Sequence, residues 1–209
     1  MHLFIPYSRQ YMKLKYKHDA SFLQFIEDTV LPVSLNRFCR DNRVSKIYFY
    51  SDIPLPKDVP TSNLKILISK NLAPSCDSNL TLATSFFESH IFDFSAPILQ
   101  VNPLYPFLSI ENLFNCYSSV LSSEFDVVFS SLRTGQVIDK ASNKRASDNY
   151  FYDIGAFYVF TPNQLLSEQT RFYGKIKKAS LNAVENVNLR TLDDISLYNQ
   201  VINLGGLVK

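Results

Sequence analysis

Three places in the chain put polar or charged side chains directly after an apolar run, where they could act on an anion or a small polar ligand. The first apolar run, His2 to Tyr7, opens into Ser8 to Asp19, which carries Arg9, Lys13, Lys15, Lys17 and His18. A basic stretch leaving a strand suggests an anion site at the carboxyl end of a sheet; the plainer reading is a solvated loop. The stretch contains no glycine. A backbone nest around phosphates needs positive φ, so any anion here would be held by side chains. The second run, Val44 to Tyr50, ends in Ser51-Asp52, a hydroxyl and a carboxylate at a strand end. The alternative for Asp52 is a cap on the turn before Pro54. The third run, Ile98 to Val101, stops at Asn102-Pro103. Asn102 reads equally as a ligand contact and as a turn-former.

The elements that must position these residues are organised around Pro97 to Ser109, PILQVNPLYPFLS. Its apolar run has the length of a strand buried on both faces, and Asn102, Pro103 and Pro106 end it. Ile110 to Val120 then reads as a helix. Before this unit, Ser21 to Arg40 has helical period behind a cap at Asp19, with Pro32 expected to kink or split it. Leu64 to Ser69 is a third strand and Asn79 to Ile91 a helix. His90 is a satisfied or dipole-favoured histidine more readily than a catalytic one.

After it, Phe125 to Leu132 is a strand and Phe151 to Phe160 the most strand-like run in the chain. Gly155 in its middle weakens it unless something approaches the backbone closely. Thr161-Pro162 opens a short helix. Val184 to Leu189 alternates like a last strand, and Thr191 caps a final helix over Leu192 to Leu204. Residues 133–150 are polar and read as a small excursion from the domain or a subunit contact. Alternating strands and helices predict a single α/β domain over 1–209, Rossmann-like, with a mostly parallel sheet covered by helices on both faces.

Composition narrows the class. The chain has 209 residues, 46% hydrophobic and 19% charged, which suits one soluble domain with a real core. The net charge of +2 is too near neutral for a nucleic-acid footprint. Cys39, Cys76 and Cys116 are far apart and in no CxxC pattern, as in a reduced, cytoplasmic protein without a zinc site or disulfide frame. No apolar run approaches the roughly 20 residues that a membrane span needs, and the amino terminus does not read as a secretory signal.

The chain resembles the CMP–sialic acid synthetase family, the cytidylyltransferases that load acidic nine- and eight-carbon sugars onto CMP. Four places carry the resemblance. IPYSRQYMKLKYKH is similar to IPARGGSKxxxxKN, and Ser51-Asp52 to the family's S-x-D or S-D. NPLYPFL is similar to NPTSPFL. NKRASD followed by YDIGAFYVF resembles R-x-Q-D followed by Y-x-x-N-G-A-x-Y-x-F, and TLDDI the end of D-I-D-T-x-x-D-L. Together they span nearly the whole chain in order.

The resemblance implies a nucleotide-diphospho-sugar transferase-like fold that binds CTP and a sugar carboxylate at the strand ends, commonly as a homodimer. The anomeric hydroxyl of the sugar attacks the α-phosphate and pyrophosphate leaves. It places Lys17 at the phosphates, with Arg9 and Lys13, which sit one position past the family's Arg and Lys, as further phosphate candidates, Ser51, Asp52 and Asn102 on the nucleoside side, and Arg145 at the sugar carboxylate. Asp153 and Gly155 lie in the sugar-side strand.

The sequence departs from the family in several places: the first motif's Arg and Lys fall on Ser8 and Met12, the Gln of R-x-Q-D on Ser147, and Asp153-Ile154 stands where the family has its Asn before Gly155. Two departures touch the site's chemistry most. The two glycines of the first motif fall on Arg9 and Gln10, and the metal-holding carboxylates of D-I-D fall on Asn188 and Arg190. Hard divalent cations want carboxylate oxygens, so the expected Mg²⁺ ligands are absent. Arg190 then either neutralises a phosphate as a fixed cation or is a surface charge at a site that has lost its chemistry. Three functions are compatible with these residues: a divergent cytidylyltransferase, a non-catalytic relative that binds a nucleotide, sugar or partner, or a nucleotide-sugar glycosyltransferase, which would want a D-x-D carboxylate pair that the strand ends do not show.

Overall fold

The computed structural model describes residues 1–16, 19–57, 59–60, 64–68, 79–89, 95–133 and 151–205. Among them seven strands form one sheet: β1 (His2–Tyr7), β2 (Lys46–Ser51), β3 (Leu64–Ile68), β4 (Ile98–Val101), β5 (Val127–Arg133), β6 (Phe151–Phe160) and β7 (Ile176–Ser180), in the order β3-β2-β1-β4-β6-β5-β7. All neighbours pair in parallel except β6, which runs antiparallel to both β4 and β5. The helices are α1 (Arg9–Tyr16), α2 (Ala20–Phe25), α3 (Leu31–Arg40), α4 (Asn79–Ser89), α5 (Ile110–Leu121), α6 (Pro162–Glu168) and α7 (Asp193–Asn203). The mostly parallel, doubly covered sheet read from the sequence is the sheet observed.

The period of two along each strand divides the core. Leu3, Ile5, Ile47, Phe49, Leu99 and Val101 face one way and pack with Phe22, Leu23, Leu35 and Phe38 of α2 and α3 and Leu113 of α5. Phe4, Tyr48, Tyr50, Ile98, Phe129 and Tyr158 face the other way and pack with Leu82, Ala83, Phe86 and Phe87 of α4 and Leu165 of α6. Phe4 stacks on Phe86 at 4.6 Å between ring centroids.

Two local outcomes differ from the sequence expectation, and one sharpens it. The basic stretch after β1 is helical over Arg9–Tyr16, not a loop. The helix over Ser21 to Arg40 is interrupted by a π-helical segment, Ile26–Val30, in which the amide of Leu31 donates to the carbonyl of Ile26. Pro32 explains it: proline has no N–H to give, and its ring needs space from the preceding turn, which one extra residue in that turn supplies. The expected last strand over Val184 to Leu189 ends a turn at 186 and then runs on without regular structure; the seventh strand is the basic segment Ile176–Ser180, mostly exposed at the edge of the sheet. Its Lys177 and Lys178 suit an edge, where lysine discourages further pairing.

Pro6 sets where the sheet opens. β1 pairs with β4 only at Leu3–Leu99 and Phe4–Gln100, while its pairing with β2 continues to Tyr7–Ser51. Proline cannot extend a ladder, and β1 and β4 part just before it, opening a crevice at their carboxyl ends.

Candidate functional site

On the β2 side of this crevice, one residue separates strand from helix. Ser8 follows Tyr7 and starts α1, its Oγ accepting from the amide of Tyr11 at 3.1 Å as an N-cap does. Because Tyr7 pairs with Ser51, Asp52 emerges beside Ser8. The Ser8 hydroxyl donates to Asp52 Oδ2 at 2.8 Å, the Arg9 amide to Oδ1 at 2.7 Å and the Gln10 amide to Oδ2 at 3.0 Å. A carboxylate from another strand thus sits on the positive end of α1, where a phosphate would otherwise be welcome. The turn before Pro54 is held by Ser51 instead, whose Oγ accepts from the amide of Ile53 at 3.1 Å.

Arg9 turns to Glu27, with Nε 3.4 Å from Oε1. The Tyr7 hydroxyl donates to the same oxygen at 2.9 Å. Burial holds the Glu27 carboxyl above its ordinary range, and the hydrogen bond from Tyr7 and the charge of Arg9 oppose that shift. Burial, with Glu27 beside it, pushes the Tyr7 phenol far up. Lys13 is exposed on α1.

On the β4 side, Asn102 closes its own turn and clamps the next strand. Its Oδ1 accepts from the amide of Leu104 at 3.1 Å, its Nδ2 donates to the Gly155 carbonyl at 3.1 Å, and its amide donates to the Ala156 carbonyl at 2.9 Å. Gly155 has φ +70°, the left-handed region that favours glycine. Its amide donates to Asp153 Oδ1 at 2.9 Å, and Asp153 Oδ2 accepts from the Tyr158 hydroxyl at 2.5 Å.

Tyr105 ties the late chain to this strand. Its hydroxyl donates to the Ile154 carbonyl at 2.6 Å and accepts from Asn188 Nδ2 at 2.8 Å. The Arg190 guanidinium lies beside the same hydroxyl and opposes the upward shift that burial gives it. Arg190 is exposed, and its amide and that of Thr191 donate to Asp194 Oδ2 at 2.7 and 2.8 Å.

The structure therefore gathers the expected residues in two groups on either side of one crevice. Arg9, Lys13, Ser51 and Asp52 belong to α1 and the end of β2; Asn102, Asp153, Gly155 and Arg190 are linked through Tyr105 and the start of β6. Between them Pro6, Tyr7, Ser8, Met12, Asn102 and Pro103 line a small cavity of about 20 Å³. Lys17, Arg145, His90, Cys76 and the excursion at 134–150 lie outside the described residues.

Sequence reasoning missed Glu27, Tyr105 and Tyr158. Tyr105 stands inside the NPLYPFL motif, and Glu27 is an acid within an apolar helix, FIEDTV; these are the available signals. The donor set does not fit Mg²⁺. Asn188 gives its amide nitrogen to Tyr105, Arg190 is a cation, the oxygens of Asp52 and one of Asp194 already accept from donors, and among the described residues no three His, Cys, Asp or Glu gather. Among the described residues Cys39 and Cys116 are free, and no helix is long and apolar enough to cross a membrane.

No family model matches this sequence, and no curated protein matches it. Solved structures match by shape over nearly the whole chain. The 4-diphosphocytidyl-2C-methyl-D-erythritol synthase of Anaerococcus prevotii superposes with a TM-score of 0.65 at 13% identity, covering 97% of this chain and 95% of its own. The Francisella tularensis 2-C-methyl-D-erythritol 4-phosphate cytidylyltransferase gives 0.64 at 14% identity, covering 95% and 98%. CMP:2-keto-3-deoxy-manno-octonic acid synthetase, solved in complex with CTP, gives 0.66 at 7% identity, covering 97% and 98%. The fold is thus the nucleotide-diphospho-sugar transferase-like α/β fold that these cytidylyltransferases share.

Proposed function

We propose that this chain binds CTP in the crevice between β1 and β4 and transfers CMP to a hydroxyl of an acidic sugar, of the nonulosonic type that the sequence resemblance names. The observation that carries the reading is the Tyr105 hydroxyl, which joins Arg190 to the Gly155 strand at the carboxyl end of a cytidylyltransferase-like sheet. The acceptor oxygen bonds to the α-phosphorus, the bond from that phosphorus to the bridging oxygen breaks, and pyrophosphate leaves with the electron pair. The hydroxyl proton passes to solvent. The chain's part is positioning and charge neutralisation. Arg190 is the fixed cation at the phosphates, Lys13 a second one, and Asn102 and Tyr105 hold the two sides of the crevice in register. The homodimer of the resembling family belongs to this reading.

A second reading has its own observation. Asp52 fills the amides of α1 and Arg9 is turned to Glu27, so the phosphate side is internally neutralised. A non-catalytic protein that binds a nucleotide, or a partner through the same surface, needs no more than that. Titration of CTP, with pyrophosphate release measured on a panel of nonulosonic and octonic acids with and without Mg²⁺, separates the two. Binding with release supports the first, and saturable binding without release supports the second. No binding of CTP or CMP overturns the first reading and leaves only the partner surface of the second.

A further inference from the structure

Arg171 lies between α6 and β7 and is only 8% exposed. A guanidinium stays charged at physiological pH, and buried charges in proteins are ordinarily paired. Arg171 is not. Among the described residues neither its Nε nor its Nη2 has a hydrogen-bond partner, and no carboxylate makes an ion pair with it. Those two nitrogens share one edge of the planar group, the edge that receives two oxygens side by side from a carboxylate or a phosphate.

Asp153 is close enough to be felt electrostatically, but Gly155 engages its Oδ1 and Tyr158 its Oδ2. Arg171 stacks on the Tyr158 ring, 4.4 Å from its centroid, and the Tyr158 hydroxyl also bears on the guanidinium, contacts that steady a cation while leaving its Nε and Nη2 without a partner among the described residues. Phe172, 44% exposed, stands edge-on to Phe129 at 5.1 Å and to Tyr158 at 6.4 Å, as the outer wall of this place. The Tyr158 hydroxyl is 3.7 Å from where a Cβ on Gly155 would be. One aromatic ring therefore separates Arg171 from the strand segment that Asn102 and Tyr105 grip.

We propose that Arg171 is the receptor for a two-oxygen anionic group, carboxylate or phosphate, carried by the molecule that the crevice binds, with Phe172 yielding to admit it. The proposal rests on the reading of the crevice as a ligand site and names the group by which the ligand is recognised. A docked anion takes both free donors at once, and Phe172 covers the rest of the ligand.

The test uses the full chain labelled with ¹⁵N. A through-bond correlation from the Arg171 backbone assigns its side-chain Nε–H signal without any variant. Inorganic phosphate and N-acetylneuraminic acid, which has a carboxylate and no phosphate, are titrated separately, and CTP binding is measured on the same sample. A saturable shift of the Arg171 signal with either anion is the expected result, and the anion that produces it identifies the source. Phe172→Ala is expected to keep the shift and tighten it severalfold. If CTP binds while the Arg171 signal ignores both anions up to tens of millimolar, this inference falls and the crevice reading stands. If the signal responds while CTP fails to bind, the receptor stands and the nucleotide reading falls.

Discussion

The Asp52 carboxylate lies 2.7 Å from the backbone amide of Arg9 and 3.0 Å from that of Gln10, across 43 and 42 residues of chain. It is both the partner that lets α1 start one residue after β1 and the negative charge that an incoming phosphate meets first. Asp52→Asn keeps the shape and removes the charge. It should lower stability by about 1 kcal/mol, as losses at helix N-termini do. It should also tighten CTP binding roughly fivefold, since about 1 kcal/mol of repulsion goes with it. Thermal melting and calorimetric titration of the variant check the two halves, and weaker CTP binding contradicts the placement of the phosphates at α1.

Two glycines are required by the backbone. Gly155 at φ +70° has room for a methyl group, whose nearest neighbour would be the Tyr158 hydroxyl at 3.7 Å. Gly155→Ala therefore meets backbone strain alone and should cost about 1–2 kcal/mol. Gly174, at φ +59°, has no such room, because a Cβ there would overlap the Asp126 carboxylate that accepts from the amide of Lys175 at 2.6 Å. Gly174→Ala should be the more destabilising. Urea unfolding of both variants gives the order, and the reverse order contradicts it.

Tyr105→Phe should cost about 1–3 kcal/mol, because it strands the Ile154 carbonyl and the Asn188 amide in a half-buried place. It should also release Arg190 from the start of β6. Loss of CTP affinity beyond that seen for Arg190→Ala alone would show that Tyr105 does more than hold Arg190. Equal losses in Tyr105→Phe, Arg190→Ala and the double variant would show the two residues acting as a unit.

Much of this arrangement is legible in the sequence. β1 and β6 read with the bounds that the structure gives, since continuous apolar runs identify buried strands. α1 is not legible: RQYMKLKY is polar and basic, and the carboxylate that starts the helix comes from the end of another strand. β7 reads only as part of a basic, partly extended segment, Phe172 to Ala179, because a mostly exposed edge strand, IKKAS, has little apolar pattern to show. The antiparallel direction of β6 lies in the chain's path rather than in any residue. At the site, Asn102 is visible as a type that turns demand and Gly155 as a break in a strand, although a positive φ and not a close approach is what requires it, whereas the pairing of Arg9 with Glu27 depends on how the interrupted helix turns.

Glu27 predicts a pH dependence. Burial raises its carboxyl in the folded chain, so the folded state binds that proton more tightly than the unfolded state. The associated stability is complete below the ordinary carboxylate range, about pH 4, and is lost as the pH rises through the raised value. Asp41 acts in the opposite sense: hydrogen bonds from Arg43 hold its carboxyl low, so its contribution is lost as the pH falls through that lowered value. Glu27→Gln isolates the first effect. The stability difference between wild type and variant should shift in favour of the variant as the pH rises above about 4. A difference that is flat with pH contradicts the burial of a titrating Glu27.

Calorimetric titration of CTP into the wild-type chain and into Arg190→Ala, each also followed for pyrophosphate release with a nonulosonic acid, tests the central claim most directly. The account predicts saturable binding to the wild type and a loss of about tenfold in the variant, as removal of one charge-assisted contact to a phosphate gives. Equal affinities in the two proteins, or no binding to either, would contradict it.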